Sequence, residues 1–110
     1  MDWIRICPLD AILPGGGACA LIGARQVALF RPYADERVFA LDNVDPFAHV
    51  SVLSRGLIVE HQGELWVASP LKKQRFRLSD GQCLEDPDYS VLSLPVEVRE
   101  GMVYLPVQKD

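Results

Sequence analysis

Val96-Glu97-Val98-Arg99-Glu100-Gly101-Met102-Val103-Tyr104-Leu105-Pro106-Val107 sets two runs rich in β-branched and aromatic residues on either side of a Glu-Gly pair. Val96 and Val98 alternate with Glu97 and Arg99, the period of two that puts apolar side chains on one face of a strand and charges on the other. Gly101 can supply the positive φ of a tight turn. The segment reads as an antiparallel hairpin, Val96 to Arg99 and Met102 to Val107, that can seal one edge of a sheet. The same pattern recurs back along the chain. Strands are expected at Trp3 to Cys7, Ala18 to Ile22, Gln26 to Arg31, Val38 to Asn43, Leu57 to His61, Glu64 to Ser69 and Gln74 to Leu78, with turns at Gly23-Ala24-Arg25, Gln62-Gly63 and Asp80-Gly81. Two segments resist a strand reading, Pro8 to Gly17, where Leu9-Asp10-Ala11-Ile12 can make one helical turn, and Pro46 to Arg55. The chain is therefore all-β, with helices minor.

Composition bounds the rest. With 110 residues, 49% apolar and 24% charged, the chain has the size and make-up of one globular domain, residues 1–110, that needs no disulfide or metal staple. No internal repeat, charge block or linker divides it. A net charge of −4 gives no field to attract a polyanion, so nucleic-acid binding is excluded as the main role. Apolar stretches such as Val27 to Phe30 fall far short of the ~20 residues that span a bilayer. Met1-Asp2-Trp3 does not open a secretory signal, so a cytoplasmic protein is expected. Cys7, Cys19 and Cys83 are odd in number and widely spaced, which reads as buried free thiols in a reducing compartment.

Few residues offer chemistry of their own. A hydrolytic nucleophile needs a base and an orienting acid; the histidines are His49 and His61, and no serine lies in a Gly-x-Ser-x-Gly elbow. His61, in Glu60-His61-Gln62-Gly63, reads as a solvated turn residue, and His49, in the irregular Pro46 to Arg55 segment, as structural. Gly15-Gly16-Gly17 lacks the Lys and Ser/Thr of a phosphate loop and reads as a flexible turn. Asp35-Glu36 and Glu85-Asp86-Pro87-Asp88 read as solvated surface turns rather than oxygen-ligand metal sites. Lys72-Lys73-Gln74-Arg75-Phe76-Arg77 packs four cations into six residues. A strand there buries Phe76 and Leu78 and presents Lys73, Arg75 and Arg77 as a basic stripe, either a solvated face or a docking patch for an acidic partner.

Two boxes, Asp42-Asn43-Val44-Asp45-Pro46-Phe47 and Val67-Ala68-Ser69-Pro70-Leu71-Lys72, the second followed by Phe76-Arg77-Leu78 and Asp80-Gly81, resemble the cluster-binding loops of the Rieske ferredoxin family. That family carries Cys-Pro-His in the first loop and Cys-Pro-x-His in the second. Here Pro46 and Pro70 stay, Asp45 and Ser69 stand at the cysteine positions, and Phe47 and Lys72 at the histidine positions. A Rieske centre takes two thiolates on one iron and two imidazoles on the other, so the resemblance implies the Rieske-like [2Fe-2S] ferredoxin fold, antiparallel sheets in a sandwich or barrel, without the cluster.

With Ala40-Leu41-Asp42-Asn43, Glu64 to Leu71 and the Leu94 to Leu105 hairpin added, the chain is similar to the small subunits of assimilatory NAD(P)H-dependent nitrite reductases. This resemblance implies a large-subunit partner that carries FAD, an iron-sulfur cluster and sirohaem and reduces nitrite to ammonium, with no cofactor, metal or catalytic residue in the small chain. It further implies a partner interface at the former cluster end, lined or flanked by Asp45, Phe47, Lys72, Lys73 and Arg75. Two other functions fit the residues: a stand-alone Rieske-type electron-transfer ferredoxin, and a small β protein-interaction module.

Overall fold

The apolar run Val27-Ala28-Leu29-Phe30 becomes the middle of a strand that is buried on both faces. A computed structural model of the chain describes residues 2–107. In it the strands are β1 (Trp3–Pro8), β2 (Gly16–Ile22), β3 (Arg25–Arg31), β4 (Phe39–Asp42), β5 (Val44–Asp45), β6 (Val50–Ser51), β7 (Leu57–His61), β8 (Glu64–Ala68), β9 (Arg75–Arg77), β10 (Ser93–Leu94), β11 (Glu97–Arg99) and β12 (Met102–Pro106). Short 3-10 turns lie at Leu9–Ala11, Leu53–Arg55 and Pro87–Tyr89. The sheets run β1-β12-β11, β10-β4-β3-β2, β5-β6 and β7-β8-β9, and every strand pair is antiparallel.

The four-stranded sheet separates two cores. Val27 and Leu29 of β3, with Ala40 of β4, enter a cluster with Ile12, Leu94, Val103 and Leu105. Ala28 and Phe30, with Leu41, face the opposite way into a cluster with Leu53, Val67, Phe76 and Leu78. Successive side chains of a strand point to opposite faces, so one uninterrupted apolar run serves both layers, as in other sheets covered on two sides. Phe30 and Phe76 are fully buried, and burial of such a side chain stabilises by roughly 1.5–3 kcal/mol.

The hairpins follow from their turn residues. Gln62 and Gly63 have φ of 52° and 79°, and Glu100 and Gly101 have 49° and 75°, the doubly positive pattern of a two-residue turn whose twist matches its strands. β11 and β12 pair as the 96–107 segment reads, with Val98 opposite Val103. The helical turn expected after Pro8 is the 3-10 turn at Leu9–Ala11.

Several expectations are corrected. Gly16 and Gly17 are the first residues of β2 rather than a flexible turn, because they pair with Arg31 and Phe30 of β3; a Cβ at Gly17 would sit 2.7 Å from the Ser54 carbonyl oxygen. The Pro46 to Arg55 segment is held by the β5–β6 pairing and the Leu53–Arg55 turn. The strand expected at Gln74 to Leu78 spans Arg75–Arg77, since the Gln74 carbonyl accepts from Ser69 N–H at 2.9 Å to close a loop. Of the three thiols only Cys83 is buried; Cys7 is half-buried and Cys19 exposed. His61 ends β7 half-buried, edge-on to the Trp66 ring at 6.4 Å, rather than solvated in the turn.

Gly81 differs from the hairpin glycines. It has φ of 81°, and a Cβ there would lie 2.1 Å from the Val91 carbonyl oxygen, whereas Gly63, at φ 79°, has open space around it. Both positions carry left-handed strain for an L residue, and Gly81 adds a backbone collision. Gly81→Ala is expected to lower stability by about 3 kcal/mol or more and Gly63→Ala by about 1 kcal/mol, as read from urea unfolding midpoints.

Candidate functional site

The two boxes fold into two loops of one shape. In Asp45–His49, Asp45 Oδ1 accepts from the N–H groups of Phe47 at 2.8 Å and Ala48 at 3.2 Å, and its carbonyl accepts from His49 N–H at 2.7 Å. In Ser69–Lys73, Ser69 Oγ accepts from Leu71 N–H at 3.4 Å, and its carbonyl accepts from Lys73 N–H at 3.0 Å. Each loop therefore opens on a short oxygen-bearing side chain that bonds the N–H two residues on. Each then carries proline next and closes on a non-glycine residue in the left-handed region, His49 at φ 57° and Lys73 at φ 64°. Asp45 matches Ser69, Pro46 matches Pro70, Phe47 matches Leu71, and His49 matches Lys73.

One side-chain bond joins the loops. Ser69 Oγ donates to Asp45 Oδ2 at 2.5 Å, and both residues are buried, Ser69 at 1% and Asp45 at 0% exposure. With Oδ1 held by two amides and Oδ2 by the hydroxyl, the Asp45 carboxyl is satisfied without water. Below it, Asn43, 2% exposed, anchors the first loop's ribbon. Its Nδ2 donates to Gln26 Oε1 at 3.1 Å, its Oδ1 accepts from Ser54 N–H at 2.7 Å, and its carbonyl accepts from the Val52 and Leu53 N–H groups.

At the positions that the sequence resemblance assigns to the ligands, Asp45, Ser69, Phe47 and Lys72 do not fit a Rieske cluster. A carboxyl and a hydroxyl, bonded to each other, stand where two thiolates would reach one iron, and a phenyl ring and a lysine stand where imidazoles would reach the other. The Phe47 ring stacks on Tyr89 with centroids 4.7 Å apart and lies 6.3 Å from Phe76, so it packs against its own chain and offers no donor. Among the described residues no group of three or more His, Cys, Asp or Glu side chains gathers to hold a metal ion. Cys7 and Cys19 lie beside a groove between β1 and β2, and burial pushes the thiols of Cys7 and Cys83 above the ordinary range.

The basic stripe is not a free one. Arg75 Nε donates to Glu85 Oε2 at 2.7 Å. Arg77 meets Asp80 at 2.7 Å and Glu64 at 3.1 Å, with its guanidinium 5.4 Å from the centre of the Trp66 ring. Two arginines of the expected stripe are thus neutralised by acids from three separate segments. Lys72 and Lys73 are exposed and make no ion pair among the described residues. Of the residues expected at the interface, Asp45 is buried, Phe47 half-buried and Arg75 engaged, while Lys72 and Lys73 face solvent. The sequence reading missed Leu71 and Tyr89, 49% and 46% exposed at the same end, as well as Asn43. An apolar Leu71 beside two lysines in a Pro-led loop was the available signal.

Two measurements test this geometry. A double-mutant cycle on Asp45→Ala and Ser69→Ala is expected to return a coupling of about 1–2 kcal/mol, since each single change strands the other's buried partner. The Arg77 guanidinium holds the Asp80 carboxyl below its ordinary range. A carboxyl lowered in the folded state contributes stability above its unfolded pKa and loses it as pH falls through the folded one. Asp80→Asn is therefore expected to flatten the acid limb of the stability profile below about pH 4, with little change in its slope near neutrality.

Comparison with known proteins identifies the family. The Rieske-like [2Fe-2S] domain family matches residues 2–106. The chain is 64% identical over 104 residues to the nitrite reductase (NADH) small subunit of Salmonella typhimurium strain LT2, covering 94% of this chain and 96% of that one. It is 47% identical over 103 residues to the nitrite reductase [NAD(P)H] large subunit of Klebsiella oxytoca, covering 94% of this chain and 11% of that one. The NMR structure of the E. coli protein NirD superimposes with a TM-score of 0.88 at 62% identity, over 94% of both chains. The ferredoxin of carbazole 1,9a-dioxygenase from Nocardioides aromaticivorans IC177, at 21% identity and a TM-score of 0.83 over 98% of this chain and all of that one, shares the fold. This chain belongs to the Rieske-like [2Fe-2S] domain family, among the nitrite reductase (NADH) small subunits.

Proposed function

We propose that this chain is the small subunit of a cytoplasmic NADH-dependent nitrite reductase, and that it acts there as a cluster-free docking and supporting subunit rather than as an electron carrier. One observation carries the reading: 64% identity to the Salmonella small subunit over nearly the full length of both chains. The Klebsiella large subunit supports the choice of partner, because a segment equivalent to this chain makes up 11% of it. A domain that occurs inside its partner's chain is held beside that partner at high effective concentration. Flavin, iron-sulfur cluster and sirohaem then belong to the large subunit, which reduces nitrite to ammonium with nicotinamide electrons. The Asp45–Ser69 bond and the stacked Phe47 ring support a structural part for the loops.

The docking end in this reading is the tip of the paired loops. Lys72 and Lys73 steer association with an acidic surface, and the exposed Leu71 and Tyr89 supply apolar contact, with Phe47 backing the Tyr89 ring. Asp45 and Arg75 support their neighbours and do not touch the partner.

The test is affinity co-purification of the tagged chain from its own host grown on nitrate. The expected result is a large sirohaem flavoprotein with nitrite-dependent nicotinamide oxidation, and a small chain that is iron-free and colourless when separated. Recovery of the chain alone, or visible absorbance with bound iron, overturns the reading. Lys72→Glu with Lys73→Glu is expected to slow association roughly tenfold at low salt and to flatten its salt dependence.

A further inference from the structure

Every sheet with an outer strand has to manage unpaired N–H and C=O groups, and among the described residues this fold does so at all its sheet edges but one. β1 carries the exposed Arg5, a register shift between Arg5 and Cys7, and Pro8. β11 carries Glu97 and Arg99, β7 carries Glu60, and β9 carries Arg75 and Arg77. β10, β5 and β6 are two residues long. Charge, bulges, proline and shortness are the usual devices against pairing with another chain.

β2 has none of them. It is seven residues, Gly16-Gly17-Ala18-Cys19-Ala20-Leu21-Ile22, without a charge or a proline. It is the outer strand of its sheet and pairs with β3 along its whole length with no register shift. The Leu53–Arg55 turn approaches it at Gly17, and among the described residues no strand pairs with the outer side of Ala18 to Ile22. Leu21 is 68% exposed. Alongside runs an open groove of about 460 Å³ whose lining includes Ile4, Ile6 and Cys7 of β1, Ala18 and Ala20 of β2, and Leu29.

We infer that the outer edge of β2 accepts an extended segment of the large subunit as an added strand, a second contact besides the loop tip; this rests on the subunit reading above. Main-chain bonds to Ala18 through Ile22 would supply affinity, and apolar side chains at alternate positions of the segment would enter the groove over Ile4 and Ile6. The edge calls for an apolar-alternating segment of about five residues, because Ala18 and Ala20 leave room for larger side chains opposite them. The large subunit is the occupant because the equivalent domain is joined to it in one chain in Klebsiella. An unguarded edge left bare would otherwise favour self-association.

The experiment is amide hydrogen exchange of the full chain, free and mixed with the purified large subunit, with affinity measured for the unaltered chain, Leu21→Lys and Lys72→Glu/Lys73→Glu. Expected are slowed exchange at alternate amides of residues 18–22 on mixing, and a loss of affinity of roughly tenfold or more for Leu21→Lys with its free-state spectrum unchanged. Binding of the unaltered chain with no change of exchange at residues 18–22 overturns the strand contact and leaves the subunit reading standing. Protection of those amides in the free chain that grows with its concentration assigns the edge to a second copy and likewise overturns it. Failure of the unaltered chain to bind overturns the subunit reading and this inference together.

Discussion

Everything in this molecule hangs on the double burial of β3. Val27 and Leu29 hold one layer and Ala28 and Phe30 the other, so the same four residues fix where both outer sheets can lie. The β1-β12-β11 sheet covers one side and β7-β8-β9 covers the other, and the paired loops are tied to that second layer through Ser69 at the end of β8. A strand polar on one face could close only one of the two cores. The continuous apolar run is thus the condition for placing the loops at all.

Given that frame, the two loops share one shape. The prolines, the side-chain to backbone bonds at residues i+2 and the left-handed closing residues recur in both. A direct hydroxyl to carboxyl bond spans the space between them. Tying two loops through small, buried, fully bonded side chains keeps them from fraying, and their exposed tips reach solvent already ordered. Ordered tips lose little conformational freedom on meeting a partner.

The sequence was most informative where structure is local. Glu100-Gly101 and Gln62-Gly63 mark hairpins because the turn conformation is a property of the turn residues themselves, and the alternation at Val96 to Arg99 shows its faces directly. The two-residue strands at Val44–Asp45, Val50–Ser51 and Ser93–Leu94 are too short to carry a period. The site was legible in outline, since the two proline boxes mark both loops. Its electrostatics were not. Arg75 and Arg77 read as a stripe because two of their partners, Glu64 and Glu85, are brought to them only by the folded sheet, while Asp80 reaches Arg77 across the next turn. Asp45, expected to line or flank an interface, is instead fully buried, and its buried partner Ser69 lies 24 residues away. Cys19 looked like a core thiol, yet it lies on the uncovered face of an outer strand, and that depends on which strands neighbour β2.

The first and last described residues meet: Val107 N–H donates to the Asp2 carbonyl at 2.9 Å, next to the pairing of Trp3 with Pro106. A polypeptide entering at one and leaving at the other would enter and exit through a single doorway, with neither sheet opened. Such a unit is portable. It can be expressed as a separate chain or spliced into a longer one with the same internal architecture, which is how a segment like this one can make up 11% of the Klebsiella large subunit.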